Sequence, residues 1–227
     1  MYTLILLSGG TGSRMKKTVP KQYLLLAGKP VVMHTLERID KIKEITNVVI
    51  VCTDEYISTI QMMLIQYNIQ TPVKFASAGK TRQDSVKSGL EFVVTENVIL
   101  HETARPFVSE NDFLRLIKEN NENAMYGMAI PFTVIKGHET VEGILDRSQL
   151  VNVQLPQKFH TKILKEAHQK AYEENRFFTE DASLVYYYYP DICITICKGM
   201  DYNIKLTSPM DLIIGEIIYK EYFARRK

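Results

Sequence analysis

Short apolar runs and segments with helical periodicity alternate along most of this chain. The apolar runs at residues 3–7, 47–53 and 98–100 are too short for helices and predict buried strands. Weaker runs predict further strands at 73–76, 128–131 and 192–197. Amphipathic periodicity predicts helices at 29–40, 54–67, 82–94, 110–121 (capped by Ser109), 162–175 and 209–225. This alternation is typical of an α/β protein with a mostly parallel, twisted sheet flanked by helices.

The pattern weakens between residues 132 and 154, where short mixed segments surround Gly137 and Gly143. Such a stretch predicts a small protruding β-arm rather than a layer of the core. Because no linker-like segment divides the 227 residues, we expect one domain over 1–227, with the arm at about 132–154. The four consecutive tyrosines at 186–189 are expected at a helix-to-strand junction.

The composition is ordinary for a globular protein, with 45% hydrophobic and 24% charged residues. A formal net charge of +2 gives no reason to expect nucleic acid or an anionic membrane as a partner. No apolar run approaches the ~20 residues that span a bilayer, and we expect no secretory leader because the first run breaks early at glycine. We therefore expect a cytoplasmic protein with reduced thiols, of which Cys52 and Cys193 lie buried in strands.

A glycine-rich segment with two cations follows the first predicted strand. Gly9, Gly10 and Gly12 permit positive φ angles and let backbone N–H groups approach an anion closely. Arg14 and Lys21 add positive charge to the same segment, which argues against a simple tight turn. The segment has neither the Gly-x4-Gly-Lys-Ser/Thr of a P-loop nor the third glycine of the dinucleotide fingerprint. The residues therefore predict a nucleoside triphosphate site at the end of the first strand.

Six motifs lie in order along the chain. They are Ser-Gly-Gly-Thr-Gly-Ser-Arg-Met with Pro-Lys-Gln-Tyr-Leu (8–15, 20–24), Arg-Gln-Asp-Ser-Val-Lys-Ser-Gly-Leu (82–90), His-Glu-Thr-Ala-Arg-Pro (101–106), Asp-Arg with Gln-Leu-Pro-Gln-Lys-Phe (146–147, 154–159), Thr-Glu-Asp-Ala-Ser (179–183) and Asn-Ile-Lys-Leu-Thr (203–207). Together they resemble the family of cytidylyltransferases that act on 2-C-methyl-D-erythritol 4-phosphate and on ribitol 5-phosphate. The resemblance implies a Rossmann-like sheet of the nucleotide-diphospho-sugar transferase type. It also implies an enzyme that moves CMP from CTP to a small polyol phosphate, giving a CDP-polyol and pyrophosphate.

The resemblance assigns residues to each part of this reaction. Arg14, Lys21 and Lys205 would be catalytic, because phosphoryl chemistry depends mainly on positioning and on offsetting negative charge. CTP would be bound by Leu7, Ser8, Gly9, Gly10, Thr11, Gly12, Gly79, Lys80, Arg82, Ser85 and Thr103. The acceptor would be bound by Glu102, Thr133, Lys136, Arg147 and Thr179, and Mg²⁺ by Glu102 with Asp201.

Some of these residues have an alternative interpretation. For Ser85 a simple helix-cap role remains open. Arg105 is expected to pair with a nearby carboxylate, and His101 to be a hydrogen-bonded histidine at a strand end. Arg147 lies on the arm, where the resemblance places it in a neighbouring subunit's site, so a homodimer is expected.

The chain departs from the family pattern on the acceptor side. Glu102 replaces an aspartate, Leu155 a threonine and Tyr202 an aspartate, and the arm is several residues shorter. CTP is therefore predicted more securely than the acceptor, and the changes would suit a relative that makes a CDP-polyol for surface polysaccharide. Two alternatives remain: a nucleotidyltransferase for hexose or aminosugar phosphates that uses UTP or another base, and a non-catalytic nucleotide-binding homologue.

Overall fold

The strands predicted from apolar runs belong to one seven-stranded sheet in the computed structural model, which describes residues 1–10 and 20–224. In chain order the described strands are β1 (Tyr2–Leu7), β2 (Leu25–Leu26), β3 (Lys29–Pro30), β4 (Ile45–Cys52), β5 (Val73–Ser77), β6 (Asn97–Glu102), β7 (Ala124–Ala129), β8 (Ile135–Gly137), β9 (Val141–Ile144), β10 (Val151–His160) and β11 (Thr195–Lys198). The sheet order is β11-β7-β10-β6-β1-β4-β5. Among its described strands, β10 alone runs antiparallel to its neighbours.

Helices cover both faces of this sheet. Those of the described residues are α1 (Val31–Ile39), α2 (Ile57–Gln66), α3 (Arg82–Leu90), α4 (Glu110–Ile117), α5 (Thr161–Glu173), α6 (Asp181–Tyr188) and α7 (Pro209–Ile218). Thr81, Ser109 and Ser208 cap α3, α4 and α7, each with an aspartate three residues later that completes a capping box. No helix of the described residues has both the length and the apolar character needed to cross a membrane.

Alternate residues of β1 serve two separate cores. Leu4 and Leu6 pack with α1 and α2 on one face, whereas Ile5 packs with α3 and α5 on the other. Because both faces are covered, the strand is a continuous apolar run rather than an alternating one. Each fully buried leucine or isoleucine of this kind stabilises the fold by about 1.5–3 kcal/mol.

The parallel strands bring several loops to one edge of the sheet. In the register of the sheet, Leu7 at the end of β1 is paired with Val51 of β4 and with Glu102 at the end of β6. Cys52 is likewise paired with Ser77, the last residue of β5. The loops that follow these strands therefore start side by side, which is the usual place for a ligand in a parallel sheet.

The structure confirms most predicted elements and corrects others. The strand predicted at 128–131 is observed at Ala124–Ala129, and the strand predicted at 192–197 is observed at Thr195–Lys198. Gly127 weakens the apolar signal of β7, but Ile196 packs over it so closely that a Cβ atom would lie 2.8 Å from the Ile196 Cγ2. The predicted 209–225 helix ends as an α-helix at Ile218, and a π-helical turn, Tyr219–Phe223, follows.

The short strands β2 and β3, strand β10 and helix α6 were not predicted, and two details were wrong. Strand β10 was missed because half of its residues are polar and a proline lies in its middle. Helix α6 was missed as well; three of the four tyrosines at 186–189 lie in it rather than at a helix-to-strand junction. Cys193 is exposed, not buried, because β11 begins two residues after it; Cys52 is buried as expected. The predicted arm contains a hairpin in which Ile135 of β8 is paired with Ile144 of β9.

Candidate active site

A cleft of about 440 Å³ opens at the carboxyl edge of the sheet. Its wall is formed by Leu7, Ser8, Gly9, Gly10, Lys21, Gln22, Gly79, Lys80, Thr81, Arg82, Ser85, Glu102, Thr103, Ala104, Lys205 and Thr207. The structure thus brings together the predicted CTP-binding residues that it describes, along with Lys21, Lys205 and Glu102. Thr11, Gly12 and Arg14 lie outside the described residues.

The described part of the loop after β1, in which Gly9 and Gly10 line the cleft, is held by hydrogen bonds. Ser8 N donates to Val51 O (2.8 Å), which continues the parallel pairing. The buried Gln22 amide donates from Nε2 to Ser8 O (2.6 Å) and to Gly10 O (3.1 Å). Because C=O and N–H point in opposite directions in a trans peptide, the Gly9 N–H points away from Gln22. Gly9 itself is required by packing, since a Cβ there would lie 2.3 Å from the Ala78 Cβ.

Two lysines from distant parts of the chain line the same cleft. Lys21 Nζ donates to Leu206 O over 2.9 Å, which links the loop after β1 to the segment before α7. Lys205 Nζ forms an ion pair with Glu102 Oε2 at 2.5 Å. The cleft therefore places two ammonium groups next to the glycine loop, a combination that favours a polyanion.

Glu102 is held between two cations at the end of β6. Its Oε1 accepts from Arg105 Nε at 2.8 Å, while its Oε2 contacts Lys205. Burial alone would raise the carboxyl pKa, but Lys205 and then Arg105 outweigh it and lower the pKa below its usual value. Arg105 also donates to Asn203 O (2.8 Å), so Glu102 and Arg105 together anchor the segment that carries Lys205.

The opposite wall of the cleft is the loop before α3 and the start of that helix. Gly79 N donates to Ser85 Oγ (3.0 Å), and the Ser85 hydroxyl donates to Thr81 O (2.9 Å). Gly79 packs so tightly that a Cβ would lie 2.3 Å from the Asp84 Cβ. The helix-cap alternative for Ser85 is wrong, because Thr81 is the N-cap and accepts from Asp84 N.

Three polar atoms of residues in the cleft lining have no hydrogen-bond partner among the described residues: Ser8 Oγ, Thr103 Oγ1 and Arg82 Nη1. All three are buried. The other end of the Arg82 guanidinium, Nη2, forms an ion pair with the buried Asp181 at 2.5 Å. Unpaired buried donors are costly, so these groups are suited to a ligand that accepts hydrogen bonds.

The remaining predicted site residues lie outside the cleft lining. Thr133, Lys136 and Arg147 are exposed on the arm, where Arg147 Nη1 donates to Pro131 O (2.7 Å). Thr179 and Asp201 are also exposed, and neither lines the cleft. Their roles remain predictions.

The expected roles of Arg105 and His101 are confirmed. Arg105 pairs with Glu102, and the fully buried His101 contacts Arg105 O through Nε2 at 3.0 Å. Burial lowers the pKa of His101 to about 4, so the ring is neutral at physiological pH. The substituted Leu155 is buried among the apolar side chains packed under the sheet, and it does not line the cleft.

Sequence reasoning missed three residues that support the cleft. Gln22 lies in the quoted Pro-Lys-Gln motif, directly after Lys21, but received no role. Asp181 lies in the quoted Thr-Glu-Asp-Ala-Ser motif, and its partnership with Arg82 depends on folding. His168 gave no signal, since it is an isolated histidine on a helix.

A mostly parallel sheet with a cationic cleft at its carboxyl edge defines this protein as a nucleotidyltransferase-type α/β fold. The chain belongs to the 2-C-methyl-D-erythritol 4-phosphate cytidylyltransferase (IspD) family, whose model matches residues 2–221.

Relatives named 2-C-methyl-D-erythritol 4-phosphate cytidylyltransferase match nearly the whole chain. The enzyme of Syntrophus aciditrophicus is 34% identical and 94% of each chain is covered. The chloroplastic enzyme of rice is 35% identical, with 96% of this chain and 74% of the relative covered. The crystal structure of 4-diphosphocytidyl-2C-methyl-D-erythritol synthase from Anaerococcus prevotii superposes with a TM-score of 0.85 at 25% identity and covers 96% of each chain.

Proposed function

We propose that this protein transfers the cytidylyl group of CTP to the phosphate of 2-C-methyl-D-erythritol 4-phosphate and releases pyrophosphate. The observation that carries the proposal is the cleft in which Lys21 and Lys205 meet the glycine loop. Membership of the family, and relatives that bear this name over nearly the whole chain, support the choice of both substrates.

Catalysis of this reaction requires positive groups in the cleft that offset negative charge. A phosphate oxygen of the acceptor attacks the α-phosphorus of CTP, a new P–O bond forms, and the bond to the β-phosphate breaks with its electrons on pyrophosphate. The nucleophile, the α-phosphoryl group and the leaving group are all anionic. Fixed cations that meet this charge where it develops stabilise the transition state without needing to reorganise.

We assign this work to the two lysines and the loop. Lys21 is proposed to contact the α-phosphoryl oxygen, with Lys205 approaching from the other side of the cleft. The Gly9 and Gly10 backbone amides, with Arg14 from the undescribed part of the loop, are proposed to hold the β- and γ-phosphates. The support is that the Ser8 carbonyl accepts from Gln22, so the N–H at the other end of that peptide, on Gly9, lies on the opposite side.

The nucleoside is proposed to lie against the wall that precedes α3. Gly79 brings the backbone close to that wall, and Lys80, Arg82 and Ser85 follow it. The unpaired Arg82 Nη1 and Thr103 Oγ1 can donate to oxygens of the base or ribose. Leu7 and Ser8 border the same space.

We further propose that the chain is one domain whose arm, at about 132–154, joins two copies into a homodimer. The arm exposes Phe132 (77%), Val141 (67%) and Ile144 (90%), which is unusual for a segment that has no partner. Thr133, Lys136 and Arg147 of this arm are proposed to bind the acceptor phosphate in the neighbouring subunit's cleft, with Thr179 assisting. Arg147 suits this role because a guanidinium holds phosphate through two parallel hydrogen bonds.

Mg²⁺ belongs to the proposal as a companion of the CTP phosphates, since it binds phosphate oxygens together with one or two carboxylates. The predicted protein ligands do not fit it. Both oxygens of Glu102 contact cations, and Asp201 is exposed outside the cleft lining. No group of three or more metal-binding side chains occurs among the described residues. We therefore assign no step to a protein-bound metal.

The test is a pyrophosphate-release assay that crosses four nucleoside triphosphates with a panel of acceptors. We expect CTP with 2-C-methyl-D-erythritol 4-phosphate to be the fastest pair. Ribitol 5-phosphate, hexose 1-phosphates and buffer alone serve as comparisons, and the product is identified as a CDP-polyol by mass spectrometry. A clear preference for another acceptor would overturn the substrate assignment, and no turnover with any pair would indicate a non-catalytic homologue.

A further inference from the structure

We propose that His168 and Asp181 are positioning residues, which hold the Arg82 guanidinium in the orientation that presents it to the nucleotide cleft. The inference rests on the proposed function, since it takes the cleft to be the CTP site. Neither residue lines that cleft, and both would act through Arg82.

The three side chains form a continuous chain of contacts. Asp181 is the first residue of α6, and its Oδ2 contacts Arg82 Nη2 at 2.5 Å. Its Oδ1 accepts from His168 Nε2 at 3.0 Å. The hydrogen bond from His168 thus holds one carboxylate oxygen, and the other makes an ion-pair contact with Arg82, so His168 and Asp181 together limit where the guanidinium can lie.

Burial makes this arrangement rigid. The side chains of His168 and Asp181 are 1% and 2% exposed, whereas that of Arg82, which lines the cleft, is 27% exposed. Burial opposes ionisation of Asp181, but Arg82 and the hydrogen bond from His168 outweigh it and lower its pKa to about 2. The aspartate is therefore ionised at neutral pH and attracts Arg82 through a medium that screens charge weakly.

The two terminal nitrogens of the Arg82 guanidinium have different surroundings. Arg82 Nη1 is buried without a partner among the described residues, although Nη2 is firmly paired. One half of the guanidinium is thus fixed by the protein while the other half is left for a ligand. A side chain that is half-paired in this way gains specificity only if something fixes its rotation, which is the role we give to Asp181 and His168.

A purely structural role makes a different prediction. If the contacts only tied α5 and α6 to α3, their loss would lower stability without a selective effect on CTP. If they position Arg82, their loss raises the KM for CTP and leaves the KM for the acceptor and kcat nearly unchanged.

The experiment compares His168→Leu with His168→Gln in the full-length protein. Leucine removes the donor, and we expect the KM for CTP to rise about 10-fold. Glutamine can bring its Nε2 to the position of the imidazole Nε2, and we expect it to recover most of the loss. Isothermal titration calorimetry with CTP alone should show that the Kd for CTP of each variant changes, relative to wild type, by the same factor as its KM.

A double-mutant cycle with Arg82→Ala tests the route of the effect. In the Arg82→Ala background, His168→Leu should change the KM for CTP by less than about 2-fold, because the group it positions is gone. Equal effects in both backgrounds would show that His168 does not act through Arg82. Should His168→Leu fail to fold, Asp181→Asn, which keeps the shape and removes the charge, takes its place in the same cycle.

His34→Leu is the matched control. His34 is also buried, its Nε2 contacts Leu26 O at 2.8 Å, and it does not line the cleft. We expect it to lower the melting temperature and to leave the KM for CTP unchanged; a similar rise in KM would overturn the inference. If the wild-type protein binds no nucleoside triphosphate, both the proposed function and this inference are wrong. If the wild type and all variants bind CTP normally, only this inference is wrong.

Discussion

The nucleotide cleft and the arm differ in how their polar side chains are held. In the cleft, Gln22, Glu102 and Arg82 each contact partners from distant parts of the same chain. On the arm, Lys136 and Arg147 are exposed; Lys136 lies in the hairpin, which is a two-stranded sheet of its own, and Arg147 follows it in a short 3-10 turn. One chain therefore supplies a preorganised binding surface in the cleft, but only exposed charges on the arm.

The apolar residues show the same contrast. Those near the cleft, such as Phe107 and Leu206, are fully buried, while Ile144 on the arm is 90% exposed. An isolated hairpin is marginally stable in water, so an arm of this kind is best explained by a second surface that covers it. We therefore propose that nucleotide binding depends on one chain and acceptor binding on two.

The largest expected effect is that of Lys21→Ala in the cleft. Removing a preorganised cation at the developing charge should lower kcat by about 10²–10³-fold, with a much smaller change in CTP affinity. Steady-state kinetics and titration calorimetry measure the two quantities. Lys43→Ala, at an exposed position outside the cleft, is the control and should behave as wild type. Unchanged turnover in Lys21→Ala would refute its assigned role.

On the arm, Arg147→Ala should raise the KM for the acceptor by about 10–100-fold and leave CTP affinity intact, because a charge-assisted contact to phosphate is lost. Mixing two inactive variants tests whether Arg147 acts in the neighbouring subunit. Hybrids of Arg147→Ala and Lys21→Ala subunits contain one cleft with both functional residues, so mixing should recover activity that neither variant has alone. No recovery after subunit exchange would argue that Arg147 serves its own chain.

The dimer itself is tested by Ile144→Asp. A charge in the proposed interface should weaken association at least about 10-fold, as measured by light scattering across a dilution series. Ile65→Asp is the matched control, since Ile65 is 81% exposed on α2 and outside the arm. A dimer equally weakened by both substitutions would place the interface elsewhere.

The smallest expected effect is a pH dependence of stability, which should be seen for a substitution behind the cleft at Asp181 and not for one on the arm at Arg147. The pKa of Asp181 is about 2 in the folded protein and 3.8 in the unfolded reference, so its stabilising contribution is present above about pH 4 and is lost as the pH falls toward 2. The stability advantage of wild type over Asp181→Asn should therefore shrink by about 1 kcal/mol between pH 7 and pH 3. Urea unfolding at the two pH values measures it.

Other acid-sensitive groups do not confuse this comparison. His34 and His101, whose burial lowers their pKa to about 4, lose their contribution in both proteins as the pH falls from 6.5 to 4. Arg147→Ala, at the exposed arm, should show the same pH dependence as wild type. A difference between wild type and Asp181→Asn that stays constant with pH would contradict the ionised pair.

Local signals were enough for the outline of the fold and for much of the cleft. Apolar runs predicted β1, β4 and β6, and Ser109 was correctly predicted to cap α4. The glycine segment and its cations predicted an anion site, and the ordered motifs indicated which further residues line it. These features depend on neighbours in the sequence or on a resemblance that spans most of the chain.

Residues whose role depends on a distant partner were missed. Lys158 is buried in β10 because its Nζ donates to Glu119 O (2.6 Å) at the end of α4, and Gln157 is buried because it donates to Glu180. Neither contact leaves a periodic pattern, so β10 was not predicted. Gln22 and the Asp181–His168 pair escaped notice for the same reason.

Neighbouring residues were enough to predict the alternation of strands and helices, the Ser109 cap and the chemical character of the segment after β1, because each depends on residues within a few positions. The pairing of Glu102 with Lys205, and the contact of His168 with Arg82 through Asp181, arise only in the folded chain. Buried polar groups must find partners, and the fold alone determines which distant groups come within hydrogen-bond reach.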